Sequence, residues 1–190
     1  MENNTTKVEE VLHSVFKEAT RLSEDALYCY AGHAEEARRW WRLHMILGIP
    51  TVIIAAFAGL TALSSESSSV AVFGSNSNII AGILAFLVAL MSGLNTFLDP
   101  KGLTSKHEQK SAEYFGLMTE ARSFGNIDCL RTDNVENLSN KLKEIQDKMN
   151  ELNKDILVIS KGTLDSIYRR VKRGDFDYEV DEDEANKQKQ

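Results

Sequence analysis

The sequence predicts an all-α membrane protein, a two-helix transmembrane hairpin whose N- and C-terminal helical arms form a cytoplasmic bundle. Three observations predict it. Two uncharged apolar runs, each long enough to cross a bilayer, lie at 45–63 and 79–98. The only two prolines, Pro50 and Pro100, sit at these runs and leave the arms free to form long helices. The polar remainder repeats apolar residues at helical steps of three and four.

The organisation that follows has four parts. Residues 1–44 form an N-terminal cytoplasmic arm. Residues 45–98 form the hairpin, with spans 45–63 and 79–98 and an external loop 64–78. Residues 99–162 form a cytoplasmic helical hairpin containing a heptad-like helix, and 163–190 a short basic helix with an acidic, disordered tail.

In the N-terminal arm, Val8, Val11, Leu12, Val15, Phe16, Ala19 and Leu22 share one helical face. Ser23, Glu24 and Asp25 read as a break and a new N-cap. A second helix from Ala26 then runs into the first span. The first apolar run begins some way into a polar, acidic N-terminus, so no cleaved signal peptide is expected.

The spans are MILGIPTVIIAAFAGLTAL and IIAGILAFLVALMSGLNTFL. About 20 residues rising 1.5 Å each give roughly 30 Å, the thickness of the hydrocarbon core. The flanks set the orientation. Arg38, Arg39, Arg42 and His44 precede the first span, and Lys101, Lys106, His107 and Lys110 follow the second. The intervening loop has one acid, Glu66, and no lysine or arginine. Basic residues stay on the cytoplasmic side, so both termini are expected there. Trp40 and Trp41 sit beside Arg38, Arg39, Arg42 and Lys101 as interface anchors. Which membrane is used is left open: plasma membrane, organelle or virion inner membrane.

Ala81, Ala85, Ala89 and Gly93 recur every four residues in the second span, and Ala55 and Gly59 share that spacing in the first. Small residues let helices approach closely. Two readings stand side by side: the stripes close the hairpin on itself, or they pack subunits of a homo-oligomer. In the second, Ser92, Asn95 and Thr96 are candidate pore-lining residues. No ionisable group lies inside either span, which argues against a proton relay, an ion-coupled transporter or a voltage sensor.

Beyond Asp99 and Pro100, a polar helix is expected from about Thr104 to Phe124, ended by the turn signature Gly125-Asn126. Val135, Leu138, Leu142, Ile145, Met149, Leu152, Ile156 and Ile159 then form an unbroken a/d seam. Packing of this seam on the chain's own helices is favoured over an intermolecular coiled coil. Gly162 closes that helix and Thr163 caps the next. The cluster Arg169, Arg170, Lys172 and Arg173 reads as a solvated face or as a contact with anionic lipid, the first being favoured. Seven acids crowd between Asp175 and Glu184, the mark of a disordered or interaction tail.

Composition and motifs exclude several function classes. A net charge of −6 argues against a nucleic-acid partner. Cys29 and Cys129 show no CxxC pairing and read as reduced cytosolic thiols. There is no P-loop, GxGxxG, HExxH or GxSxG. His13, His33, His44 and His107 are scattered along the chain. No catalytic, cofactor or metal site is therefore expected, and the chain does not read as an enzyme.

The segment after the second span carries a resemblance. Thr96-Phe97-Leu98-Asp99-Pro100, followed by His107, Ala112, Tyr114, Leu117, Glu120 and Arg122, resembles the post-membrane segment of the SLATT families. These are two-transmembrane effector domains associated with SMODS nucleotidyltransferases and SLOG sensors. Pro100, His107, Tyr114 and Arg122 are the matching motif residues, and the similarity covers roughly residues 8–160. It implies an oligomeric pore-forming or membrane-perturbing effector of conflict systems. No fused sensor or nucleotide-binding segment accompanies it here. The alternative is a non-enzymatic scaffold, such as a virion or organelle component linking bilayer to a protein layer through a partner on the cytoplasmic arms.

Overall fold

A computed structural model describes residues 2–64, 77–131, 134–155 and 157–176. Among these the secondary structure is helical, with no strand. In chain order the helices are α1 (Glu2–Ser64), α2 (Ser77–Leu98) and α3 (Pro100–Ser123). A π-helical turn (Phe124–Asp128) and the short α4 (Cys129–Arg131) follow, then α5 (Val135–Lys154) and α6 (Lys161–Lys172). Of the loop expected over 64–78, residues 65–76 lie outside the described residues, and Ser64, Ser77 and Asn78 are helical. The acidic tail from 177 onward and Ile156 of the seam also lie outside them.

The chain divides into two compact units. One comprises Met1–Glu36 and His107–Gln190, here the arm unit, and the other Ala37–Lys106, here the apolar unit.

The arm unit has one core. Val15, Ala19, Leu22 and Ala26 of α1 bury with Tyr114, Leu117, Met118, Ala121 and Phe124, and with Leu138, Ile145 and Met149 of α5. Three residues of the a/d seam therefore pack within the chain. At about 1.5–3 kcal/mol for each large apolar side chain fully buried, this cluster dominates the stability of the unit.

Several boundaries differ from those the sequence suggests, each for a visible reason. No break occurs at Ser23-Glu24-Asp25, because α1 continues to Ser64. Leu22 and Ala26 continue the buried steps of Val15 and Ala19 past the polar triplet, so packing overrides the local cap signal. Gly125 does not end the helix either. It is buried, and a Cβ there would lie 3.5 Å from that of Ala19, so this glycine serves a close approach of two segments. The backbone absorbs it in a π-helical turn instead of a terminating one.

The helix carrying the seam ends at Lys154, well before Gly162. Residues 157–160 are not helical, and Ile159 lies against Gly32, where an added Cβ would come within 2.9 Å of its Cδ1. The cap of α6 is Ser160 and not Thr163: its hydroxyl accepts the Thr163 amide at 3.3 Å. Asn134 caps α5 in the expected manner, accepting from the amides of Glu136 and Asn137 at 3.1 and 3.2 Å.

In the apolar unit, α3 begins at Pro100 and not near Thr104. Asp99 turns the chain with φ 41°, and its carboxylate accepts the Gly102 amide at 3.1 Å. Pro100 takes the first helical position, where its missing N–H costs nothing. Any side chain at 102 would collide with the capping carboxylate, which fills the Cβ position. Pro50 lies inside α1 and removes one ladder donor, a loss membrane helices tolerate.

Candidate functional site

The apolar unit holds most of the residues singled out from sequence. Two helices of the chain are long and apolar enough to cross a membrane, and neither apolar window has a buried residue. The exposed side chains are large: Ile46, Val52, Phe57 and Leu60 on α1, and Ile83, Phe86, Leu90 and Phe97 on α2, the last 85% exposed. Partial cover falls on one row of each helix. On α2 it is Ile80, Leu84, Val88, Met91, Asn95 and Leu98; on α1, Leu47, Thr51, Ile54 and Ala58. The small-residue stripe lies mostly off that row. Ala85, Ala89, Gly93, Ala55 and Gly59 are exposed, and only Ala81 is half-covered. A Cβ added at Gly59 or Gly93 would meet nothing within 4 Å.

The three candidate pore-lining residues differ from one another. Asn95 places its Oδ1 3.4 Å from Nδ1 of His44, joining α1 to α2. Thr96 donates its hydroxyl back to the Ser92 carbonyl at 3.0 Å. Ser92 is exposed. Among the flanking residues, Arg38, Arg39, Trp41, Arg42 and Lys101 are exposed and Trp40 is half-buried. Arg42 Nε donates to the Arg38 carbonyl at 3.3 Å.

The arm unit holds a second cluster, which the spacing of the histidines gave no reason to expect. His33 and His107, 4% and 2% exposed, meet with their Nδ1 atoms 2.9 Å apart. Tyr114 stacks on His33 with ring centroids 5.6 Å apart and planes at 10°. The surrounding polar groups are satisfied. Tyr114 donates its hydroxyl to Asn153 Oδ1 at 2.8 Å, and Ser111 to the Tyr30 carbonyl at 3.2 Å. Lys110 donates to the Leu152 carbonyl at 3.2 Å and pairs with Asp155 at 3.5 Å. Glu36 accepts the Ser160 amide at 2.9 Å. Among the described residues, no buried side-chain nitrogen or oxygen lacks a partner.

The chemistry of this pair is narrow. An Nδ1-to-Nδ1 hydrogen bond needs one protonated and one bare nitrogen, so the pair is stable neutral or singly protonated and is broken when both rings are cationic. Burial pushes His33 down to about 4, helped by His107 and Lys110 and opposed by Glu36. Burial lowers His107 too, against Glu36. The Tyr114 hydroxyl is pushed up to about 12, chiefly by burial. Burial, and after it Asp25, raises the Cys29 thiol, which disfavours a reactive thiolate. Among the described residues, no three His, Cys, Asp or Glu side chains gather as a metal site would require.

Of the four motif residues, His107 and Tyr114 thus come together on the core side of α3. Pro100 opens that helix. Arg122 instead lines a cleft of about 450 Å³ with Glu24, Tyr30, Phe115, Met118 and Phe176. His33 was not singled out from the sequence. The available signal was its place seven residues after Ala26, which continues the buried stripe of α1. The chain matches no protein-family model, no curated protein and no solved structure.

Proposed function

We propose that this chain is a two-pass membrane protein, with α1 and α2 paired as a hairpin and both termini cytoplasmic, that assembles into an oligomeric pore-forming or membrane-perturbing effector of the SLATT type. The observation that carries the reading is the exposure of both apolar helices. Side chains such as Val52, Phe86 and Phe97 are largely bare, and water is the wrong solvent for so large an apolar surface. The half-covered rows on α1 and α2, joined at His44 and Asn95, support the hairpin. The small-residue stripes support self-association, because among the described residues nothing lies within 4 Å of a Cβ added at Gly59 or Gly93. The basic flanks support the cytoplasmic termini.

One observation favours the second reading, a non-conducting anchor that ties a bilayer to a protein layer. Asn95 and Thr96 find partners within the chain, so neither needs a wet lumen. Ion flux decides between them. Purified protein is reconstituted into dye-loaded liposomes and its assembly fixed by crosslinking. The effector reading expects dye or ion release that scales with the crosslinked oligomer and is reduced by Gly93→Leu. A verified oligomer that leaves the liposomes tight under every trigger would sink it and leave the anchor standing.

A further inference from the structure

Helix α6 buries one side and offers the other to its surroundings. Thr163 and Ile167 are buried, while Leu164 and Tyr168 are 44% and 59% exposed. At 100° per residue, Leu164, Tyr168, Lys161, Lys172 and Arg169 fall within an arc of about 140°. Asp165 is the one acid within that arc. Val158, in the non-helical segment before the helix, is 73% exposed.

The bases on and just after α6 divide into two groups. Arg170 and Arg173 both reach Asp175, at 3.3 and 3.1 Å, and Arg170 also lies over the Phe176 ring at 5.0 Å. Among the described residues, Lys161, Arg169 and Lys172 have no ion-pair partner. Tyr168 is held in place by stacking on Tyr28, with centroids 6.3 Å apart.

A purely acidic protein partner would be met by charge and would not require bare leucine and tyrosine among the bases. A bilayer interface requires both: aliphatic and aromatic groups at the level of the head groups, and lysine or arginine reaching the phosphates. We propose that the Leu164, Tyr168, Arg169 and Lys172 face of α6 docks on the surface of an anionic phospholipid bilayer. This deepens the membrane reading but rests on the surface chemistry of α6, not on the apolar helices.

The test uses the full chain in phosphatidylcholine liposomes, with lysine acetylation read by mass spectrometry. In one arm phosphatidylserine replaces part of the host lipid; in the other, phosphatidylserine vesicles are added from outside. The expected result is an about fivefold fall in labelling of Lys161 and Lys172 in at least one arm, the size of effect that a single base contributes near such a surface. High salt should reverse it, and Lys143 on α5 should not change. The double variant R169E/K172E should lose the protection of Lys161. Leu164→Ser with Tyr168→Ser should weaken it without changing the charge.

Equal labelling in neutral and anionic lipid in both arms would overturn the proposal, as would protection that survives R169E/K172E. Release of the protein by alkaline extraction would count against the two-pass reading alone, since added anionic vesicles still test α6.

Discussion

In the arm unit the inside contains two histidines, a glutamate, a tyrosine and a threonine alongside its leucines and isoleucines. In the apolar unit, α2 and the apolar stretch of α1 expose isoleucine, valine, leucine and phenylalanine. Both are built of helices. The difference lies in where each meets the cost of its unusual groups. The arm unit meets it with hydrogen bonds, each buried side-chain nitrogen or oxygen among the described residues finding a partner. In the apolar unit Phe97 and Val52 stay largely uncovered among the described residues, and no hydrogen bond can offset that cost. The same substitution should therefore have effects of very different size in the two units.

The largest effect should come from Phe124→Ala against Phe86→Ala. Phe124 is 1% exposed in the core and Phe86 is 68% exposed. Removing the first leaves a cavity and should cost about 3–5 kcal/mol. Removing the second should change stability by less than about 0.5 kcal/mol. Hydrogen exchange of the amides of each unit in reconstituted protein, read in the unit that carries the substitution, measures both. Comparable losses for the two would break the distinction between the units.

The apolar unit was largely legible in the sequence and the arm unit only in part, for physical reasons. A run of uncharged apolar residues shows by length and composition alone that it could cross a membrane, so the two apolar helices, their flanks and their small-residue stripes could be placed before any fold was known. The packing of Leu138, Ile145 and Met149 inside the chain was likewise readable from the a/d steps. The break expected at Ser23 was local chemistry overridden by the packing of Leu22 and Ala26. Gly125 and Gly162 looked like stops because glycine is permissive, yet one serves a close approach and the other sits in the first turn of α6. The His33–His107 contact was not legible: the residues are 74 apart, and only the folding of α3 against α1 brings them together. Whether Ala81, Ala85, Ala89 and Gly93 meet another subunit depends on a second chain, which one sequence does not supply.

Acid should act on the arm unit next. Both histidines are held below their ordinary value, so the unfolded chain binds more protons than the folded one as pH falls. The penalty is absent above about 6.5, the unfolded value, and grows until pH reaches about 4, the folded value of His33. By pH 4.5 it should reach roughly 2 kcal/mol. Double protonation also sets two N–H donors against each other across 2.9 Å. Thermal unfolding of the arm unit should therefore move down between pH 7 and 4.5, and His33→Phe should flatten that slope. The exposed apolar side chains of the other unit carry no proton and should not respond. A wild-type slope retained by His33→Phe would assign the acid sensitivity elsewhere.

The smallest effect concerns the one place where the apolar unit uses local hydrogen bonding as the arm unit does. Asp99 caps α3 only because residue 102 has no side chain, the carboxylate occupying the space a Cβ would need. Gly102→Ala gains helix propensity, worth about 1 kcal/mol on its own. It also expels the cap, which costs about the same or more. The two terms should nearly cancel, leaving a net loss of about 1 kcal/mol or less. Propensity and cap can be separated by Asp99→Ala, which removes the carboxylate first. In that background Gly102→Ala should become stabilising, because only the propensity term remains. The double-mutant cycle, read by hydrogen exchange at the start of α3, therefore depends on a change of sign more than on a magnitude. If Gly102→Ala has the same effect with and without Asp99, the close approach of carboxylate and backbone is not what fixes glycine at this position.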